Sequence, residues 1–376
     1  MPSADPILSL PKQQTAIVAE GPGRVSVKHD APVPFLAPDM AIVRTRAVAI
    51  NPTDAKMLDY SATAGAIHGH DFAGTVVALG EDALRSGRLQ IGDRVCGFVH
   101  GINRLRPDVG GFAQYVGATA DLLLKIPNGM RFEEAAGLGV GVGTATMALW
   151  LELRVPATLE DLKGNKGGSD LEGEKKPGAF VLVAGGSTAT GTRAIQLLKR
   201  AGLRPIATCS PSNFDLVRRF GAEYAVDYRT PTAASDIRRY ANNELAYALD
   251  CITDAETTKL CYDAIGRAGG RYCAMEPFRE TVTQARALTV KPSWVMTLTI
   301  FGRKVAIDGE YGREATPEHR KFGVEAYTAV QDLLDKGLID PHPVKIMPGG
   351  WEGVIESIDI IRGQGVSGYK MVHVVN

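Results

Sequence analysis

Hydroxyl and amide side chains gather at two turns of this chain, and their spacing suits phosphate groups. The first turn is Gly185-Gly186-Ser187-Thr188-Ala189-Thr190-Gly191. It follows a continuous apolar run, Phe180 to Ala184, which reads as a strand buried on both faces. A helical pattern comes next, with Ala194, Leu197, Leu198 and Ala201 on one face and Lys199-Arg200 before Gly202. Strand, tight turn and helix place N–H groups at a helix N-terminus, where a pyrophosphate can sit. The fit to G-x-G-x-x-G is imperfect, and one more turn of an α/β sheet is the alternative. The second turn favours the dinucleotide. The strand Arg204 to Cys209 ends in Ser210-Pro211-Ser212-Asn213, with no acid to grip a ribose 2′-hydroxyl. Ser210, Ser212 and Asn213 are instead donors for a 2′-phosphate, so NADPH is expected over NADH. If Ser210 or Asn213 only caps a helix, replacing it changes stability and leaves cofactor preference alone. Tyr228 either stacks near the adenosine or is an ordinary core or surface tyrosine.

Further short strands complete this half: Tyr224–Asp227, Leu245–Cys251 and Gly269–Met275. Asp250-Cys251 and Met275-Glu276 then fall at strand ends, facing the crevice of such a sheet. Ser293 to Phe301 reads as a strand stopped by Gly302, Phe322–Lys336 and Trp351–Arg362 as helices, and Ser367–Val375 as a closing strand. Before residue 150 the chain alternates β-branched residues between Gly, Pro and Asp, as a small barrel with tight corners would. Residues 155–178 are polar, charged and without period, and read as a flexible surface loop or a disordered insertion.

At 376 residues the chain can bury two cores. Its 42 basic and 42 acidic residues balance, which gives no support to nucleic acid or a membrane surface as partner. Five scattered cysteines without C-x-x-C spacing argue against a disulfide frame or structural zinc and for a reducing compartment, hence the cytoplasm. No stretch has the build of a signal peptide or membrane span.

The segments GHDFAGTVVALG (69–80), IGDRV (91–95) and NPTD (51–54), followed by the later Gly-rich turn, resemble the medium-chain dehydrogenase/reductase superfamily. The resemblance implies an α/β chain. A GroES-like β-barrel catalytic domain (1–149 and 323–376) would enclose a Rossmann doubly wound parallel sheet (150–322), with the active site between them. Zinc members of that superfamily ligate the metal with a Cys, the His of a GHE motif and a later Cys or Asp. Here the first position is Asn51, the His has a counterpart in His70, and Asp71 follows it. No cysteine lies between Ala135 and Trp150, and of a four-cysteine lobe only Cys96 is present. One histidine cannot hold zinc, so no metal is expected. His68 and His70 then read as hydrogen-bonded turn histidines. Without a Lewis acid, hydride addition to an activated C=C is the easier chemistry, because the carbonyl spreads the incoming charge. Lys56 is either a solvated lysine or a donor at the cleft lip toward nicotinamide ribose, thioester or carrier phosphate. Thr144 is either an N-cap or a hydroxyl donor to substrate or nicotinamide amide. The two are the expected catalytic residues.

A narrower resemblance rests on STAT (187–190), IATCSPSNFDLV (206–217), YALDCIT (247–253), AIGRAGG (264–270), TIFG (299–302) and GYKMVHVV (368–375). These are similar to the trans-acting enoyl reductases of fungal highly reducing polyketide synthases, the lovastatin type. By that resemblance Asn51, Pro52, Thr53, Asp54, Ser187, Thr188, Ala189, Thr190, Ser210, Pro211, Ser212, Asn213, Tyr228, Met275, Glu276, Val366 and Ser367 would touch cofactor. Val140, Gly141, Val142, Gly143, Thr144, Ala145, Thr146, Met147, Thr297, Leu298, Thr299, Ile300 and Phe301 would line the acyl pocket. The expected activity is NADPH-dependent reduction of the α,β-double bond of an acyl-carrier-bound polyketide intermediate, by a chain favoured as a monomer. The alternatives are a stand-alone NADPH quinone or alkenal reductase and a non-catalytic NADPH-binding partner protein. Arg104, Arg106, Arg303, Lys304 and Arg313 are a possible basic rim for an acidic carrier domain, although each alone reads as solubilising charge.

Overall fold

A computed structural model describes residues 10–163, 178–363 and 365–375. Most of the stretch read as a surface loop, residues 164–177, lies outside the described residues. In chain order the strands are β1 (Gln13–Gly21), β2 (Arg24–Pro32), β3 (Met40–Ala49), β4 (Asp71–Leu79), β5 (Arg94–Phe98), β6 (Tyr115–Thr119) and β7 (Leu124–Lys125). There follow β8 (Phe180–Ala184), β9 (Arg204–Thr208), β10 (Tyr224–Val226), β11 (Tyr247–Asp250), β12 (Gly270–Ala274) and β13 (Val290–Trp294). The last two are β14 (Val344–Met347) and β15 (Lys370–Val374).

Strands β8 to β13 form one parallel sheet, ordered β10-β9-β8-β11-β12-β13. All five residues of β8 are buried, as its unbroken apolar run requires of a central strand. The order reverses between β8 and β11, which opens a crevice at their carboxyl ends. The edge strand β13 carries Pro292, tolerable only where no further neighbour needs its N–H. The other large sheet runs β14-β15-β3-β4-β5-β7, with β6 also on β3. Register shifts along β3 and β4 bend it. Strand β15 pairs antiparallel with β3, so the end of the chain is built into the first sheet. The molecule is thus a GroES-like barrel joined to a Rossmann sheet. One continuous apolar core, including Phe98 and Leu124 on one side and Val181 and Val183 on the other, ties the two together. The connection is a buried helix, Gly139–Thr146, which runs on into a wider turn, Met147–Glu152.

One expected strand is partly a helix. Extended structure stops at Trp294, and Thr297–Phe301 form a 3₁₀ turn closed by Gly302 at φ 67°. The β-branched run suggests a strand, but the Thr299 hydroxyl donates to Met296 O at 2.8 Å and pairs with His319 Nδ1 at 2.7 Å. Those local bonds, with Ile300 wholly buried, outweigh strand propensity. The helix Gly350–Gly363 covers the span read as helical there, and Pro317–Asp335 covers the other except Lys336, its C-cap, while starting earlier at a proline in its opening turn. Among the described residues no helix is long and apolar enough to cross a membrane.

The Gly-rich turn depends on close packing of the helix Ala189–Arg200 against the end of β8. A Cβ on Gly191 would meet the Gly185 carbonyl and come within 2.9 Å of Gly186 Cα. Gly191→Ala is therefore expected to destabilise the chain by about 1–3 kcal/mol in thermal or denaturant unfolding. Gly363→Ala, where nothing lies within 4 Å, is the control and should be neutral or slightly stabilising.

Candidate active site

A cleft of about 420 Å³ opens where the carboxyl ends of β8, β11 and β12 face the barrel. Ser187, Thr188, Ala189 and Thr190 form one wall. Thr188 caps the helix that follows, its hydroxyl accepting from Gly191 N at 3.0 Å, and no acid stands in the first turn. The positive end of the helix therefore faces the cleft. Asp250, fully buried at the end of β11, accepts from Ile252 N at 3.0 Å, Thr253 N at 2.9 Å and the Tyr272 hydroxyl at 2.9 Å. Burial pushes its carboxyl above the usual range despite those bonds. They shape the turn that brings Cys251 and Ile252 to the cleft wall. Burial also pushes the Cys251 thiol up to about 12. Met275 and Glu276, after β12, line the cleft beside them.

Helical geometry divides the expected acyl-pocket residues. Of Val140–Met147, Val140 and Thr144 line the cleft, four residues apart on one face. Gly141 faces the Arg193 side chain and Gly143 the Phe98 ring. Val142, Ala145 and Met147 belong to the core, and the Thr146 hydroxyl turns back to Val142 O at 2.8 Å. Thr297 and Leu298 also line the cleft. Thr299 and Ile300 are buried, and Phe301 packs on Phe98 and lines a separate cavity of about 50 Å³. Thr144 and Thr297 meet, hydroxyl to hydroxyl, at 2.9 Å.

Asn51, Pro52, Thr53 and Lys56 line the barrel side. Lys56 is half-exposed and bonds Glu276 Oε1 at 3.0 Å, while Glu276 Oε2 accepts from the Tyr311 hydroxyl at 2.8 Å. Burial and the Glu276 carboxylate push the Tyr311 phenol up. The cleft is thus bridged from the helix Pro52–Ser61 to the end of β12. Beneath it Asp54 accepts from Asn51 N at 2.6 Å and is bonded to His70 Nδ1 at 2.6 Å. Burial works against the Asp54 charge, yet the His70 bond holds its carboxyl below the usual range. His68 departs from the expected hydrogen-bonded state. Its ring nitrogens have no partner among the described residues, it stands edge-on to Phe112 at 5.5 Å, and burial pushes it down to about 4.

Lys370 is the feature that sequence reading passed over. Its ammonium bonds Asn51 Oδ1 at 2.6 Å and Asp71 Oδ2 at 2.7 Å, and it lines the cleft. Asn51 Nδ2 bonds the same Asp71 oxygen at 3.0 Å. The available signal was a lysine inside the apolar run Tyr369–Val372 and an aspartate opening β4. These residues do not fit zinc. Asn51 Oδ1 and Asp71 Oδ2 are already held by the Lys370 ammonium and no thiolate is at hand, so only His70 Nε2 is left as a ligand. No group of three or more His, Cys, Asp or Glu able to hold a metal occurs among the described residues.

At the outer end, Ser210 precedes a 3₁₀ turn, Pro211–Asn213, and Asn213 Nδ2 donates to Ser367 Oγ at 2.8 Å. Val366 and Gly368 line the cleft next to that contact. Tyr228 is exposed, with Arg229 beside its ring. The five basic residues of the expected rim are largely engaged. Arg104 pairs with Asp308, Arg106 with Asp108, Arg303 with Asp39 and Lys304 with Glu314, while Arg313 stacks on Trp294.

Residues 37–128 match the alcohol dehydrogenase GroES-like domain, and 189–305 the zinc-binding dehydrogenase domain. The chain is 60% identical over 375 residues to the trans-enoyl reductase caaB of Aspergillus niger, covering 100% of both chains. It is 58% identical over 372 residues to the trans-enoyl reductase thnE of Trichoderma harzianum, covering 99% of both. The CurK enoyl reductase structure superposes with a TM-score of 0.72 at 17% identity, covering 97% of this chain and 100% of that one. A fold of this kind implies a nicotinamide cofactor, and the hydroxyl-rich turn at a helix N-terminus fits its pyrophosphate. The chain belongs to the medium-chain dehydrogenase/reductase superfamily, and within it to the family of the fungal trans-enoyl reductases.

Proposed function

We propose that this chain is a trans-acting enoyl reductase. With NADPH it reduces the α,β-double bond of an intermediate carried on the acyl carrier domain of an iterative fungal polyketide synthase, in the cytoplasm. In this reading the barrel part (1–149 and 323–376) positions the acyl chain and 150–322 binds the cofactor. The observation that carries it is the linked hydroxyl pair Thr144–Thr297 in a cleft that begins at the dinucleotide turn. The nicotinamide, when bound, supplies a hydride. In the Thr144–Thr297 bond one hydroxyl donates, and the accepting one keeps its own proton for a further bond. That proton suits the oxygen of the enolate formed when hydride adds at Cβ, whose charge is shared between oxygen and Cα; Cα then takes a proton from solvent to complete the reduction. Lys56 and Glu276 at the mouth stand where a thioester arm or the cofactor ribose would pass. Ser210, Ser212 and Asn213 offer donors without an acid for a 2′-phosphate.

A small-molecule alkenal or quinone reductase is the second reading. It is favoured by the pairing of four of the five expected rim cations with carboxylates, which offsets their charge toward an acidic carrier. Oxidation of NADPH by the purified chain, with enoyl-pantetheine and carrier-bound enoyl thioesters against small alkenals and quinones, separates the two. Faster turnover of thioesters is expected. Faster turnover of small electrophiles would favour the second reading, and NADPH binding without any turnover would point to a non-catalytic partner.

Two substitutions test the assignments. Thr144→Val should lower turnover by about tenfold or more while leaving NADPH affinity nearly unchanged, measured by steady-state kinetics and fluorescence titration. Ser210→Asp should lower the NADPH-to-NADH preference by about tenfold or more through repulsion of the 2′-phosphate, with unfolding temperature unchanged. A fall in stability with preference intact would make Ser210 a cap only.

A further inference from the structure

We propose that Lys370 is a positioning residue. Its buried ammonium neutralises Asp71, and Asp71 holds the first turn of the helix that presents Thr144 to the cleft. The helix Gly139–Thr146 is a poor helix by itself. Three of its eight residues are glycine, its N-cap is Leu138, and no side chain of its own accepts from its first turn. The missing acceptor comes from another strand. Asp71 Oδ1, at the start of β4, accepts from Val140 N at 2.7 Å. A carboxylate there satisfies an open donor and complements the positive end of the helix. Only glycine at position 139 lets it come so close, because a Cβ would lie 2.7 Å from Asp71 Oδ1. On the other side of the same residue the Tyr327 hydroxyl donates to Gly139 O at 3.0 Å.

Asp71 is 0% exposed, and a lone carboxylate so placed would be strongly disfavoured. Lys370, 5% exposed, supplies the opposite charge at 2.7 Å. The amide of Asn51 joins the two, accepting from Lys370 at 2.6 Å and donating to Asp71 at 3.0 Å. Asn51 stands at the position where zinc members of the superfamily carry a cysteine ligand, so this chain holds an organic cation against that position. Val140 and Thr144 lie one turn apart on the same face, so a shift at the capped end carries over to the Thr144 hydroxyl.

The test compares Lys370→Met, Asp71→Asn and the double variant K370M/D71N in the full-length chain. Three quantities are measured: unfolding temperature, amide exchange of the peptide spanning 139–146, and thioester turnover. Only the last rests on the proposed activity. K370M should lower the unfolding temperature by about 5 °C or more. It should also speed exchange at 139–146 and lower turnover by about tenfold or more. The double variant should recover most of all three, because an amide at position 71 still accepts from Val140 N and brings no charge. Recovery of stability and exchange without turnover would overturn the proposal, since Lys370 would then act on the bound molecules directly. A K370M variant as stable, as protected and as active as the unchanged chain would also overturn it. If the unchanged chain reduces no thioester, the activity reading fails, while exchange and unfolding still decide the role of Lys370.

Discussion

A single buried ion pair sets the shape of the cleft. Asp71 opens β4, Lys370 opens β15, and Asn51 ends the loop after β3, so three separate stretches of chain converge on one charge pair. Removing two charges from water costs several kcal/mol per ion, and only good geometry with further hydrogen bonds offsets it. Here each Asp71 oxygen has a partner, and the Lys370 ammonium has two acceptors. Such a pair contributes little net stability, but it tolerates no slack. It fixes the cleft-wall helix and the start of the helix Pro52–Ser61 relative to each other.

That arrangement narrows the chemistry the cleft suits. An ammonium held between an amide and a carboxylate can neither act as a Lewis acid nor leave room for a dication beside it. What the cleft offers is a hydroxyl pair on one wall and a helix N-terminus on another. Those groups stabilise a charge already delocalised by its own carbonyl far better than they could draw a hydride from a simple alcohol. The relatives named trans-enoyl reductases are in keeping with that chemistry.

Much of this was legible in the sequence. The apolar run Phe180–Ala184 and the glycines after it read as a central strand and a tight turn into a helix, because burial on both faces and close helix packing each demand those residue types. The absence of an acid at Ser210–Asn213 was equally plain. Other features depend on distant partners. Thr297–Phe301 looks extended until His319 claims Thr299, and the run Val140–Met147 splits into cleft and core faces only once the helix is placed. Lys370 and Asp71 are 299 residues apart, and no local pattern joins them. The pairings of Arg104 with Asp308 and Arg303 with Asp39 likewise join residues far apart in the chain, whereas Asp108 lies only two residues from Arg106.

The most direct measurement is the metal content of the purified chain, taken together with its thioester reduction before and after exhaustive chelation. A cleft organised around the Lys370 ammonium should carry no stoichiometric divalent metal and keep its full rate after chelation. One tightly bound zinc per chain, lost on chelation together with the activity and restored with it, would contradict that organisation.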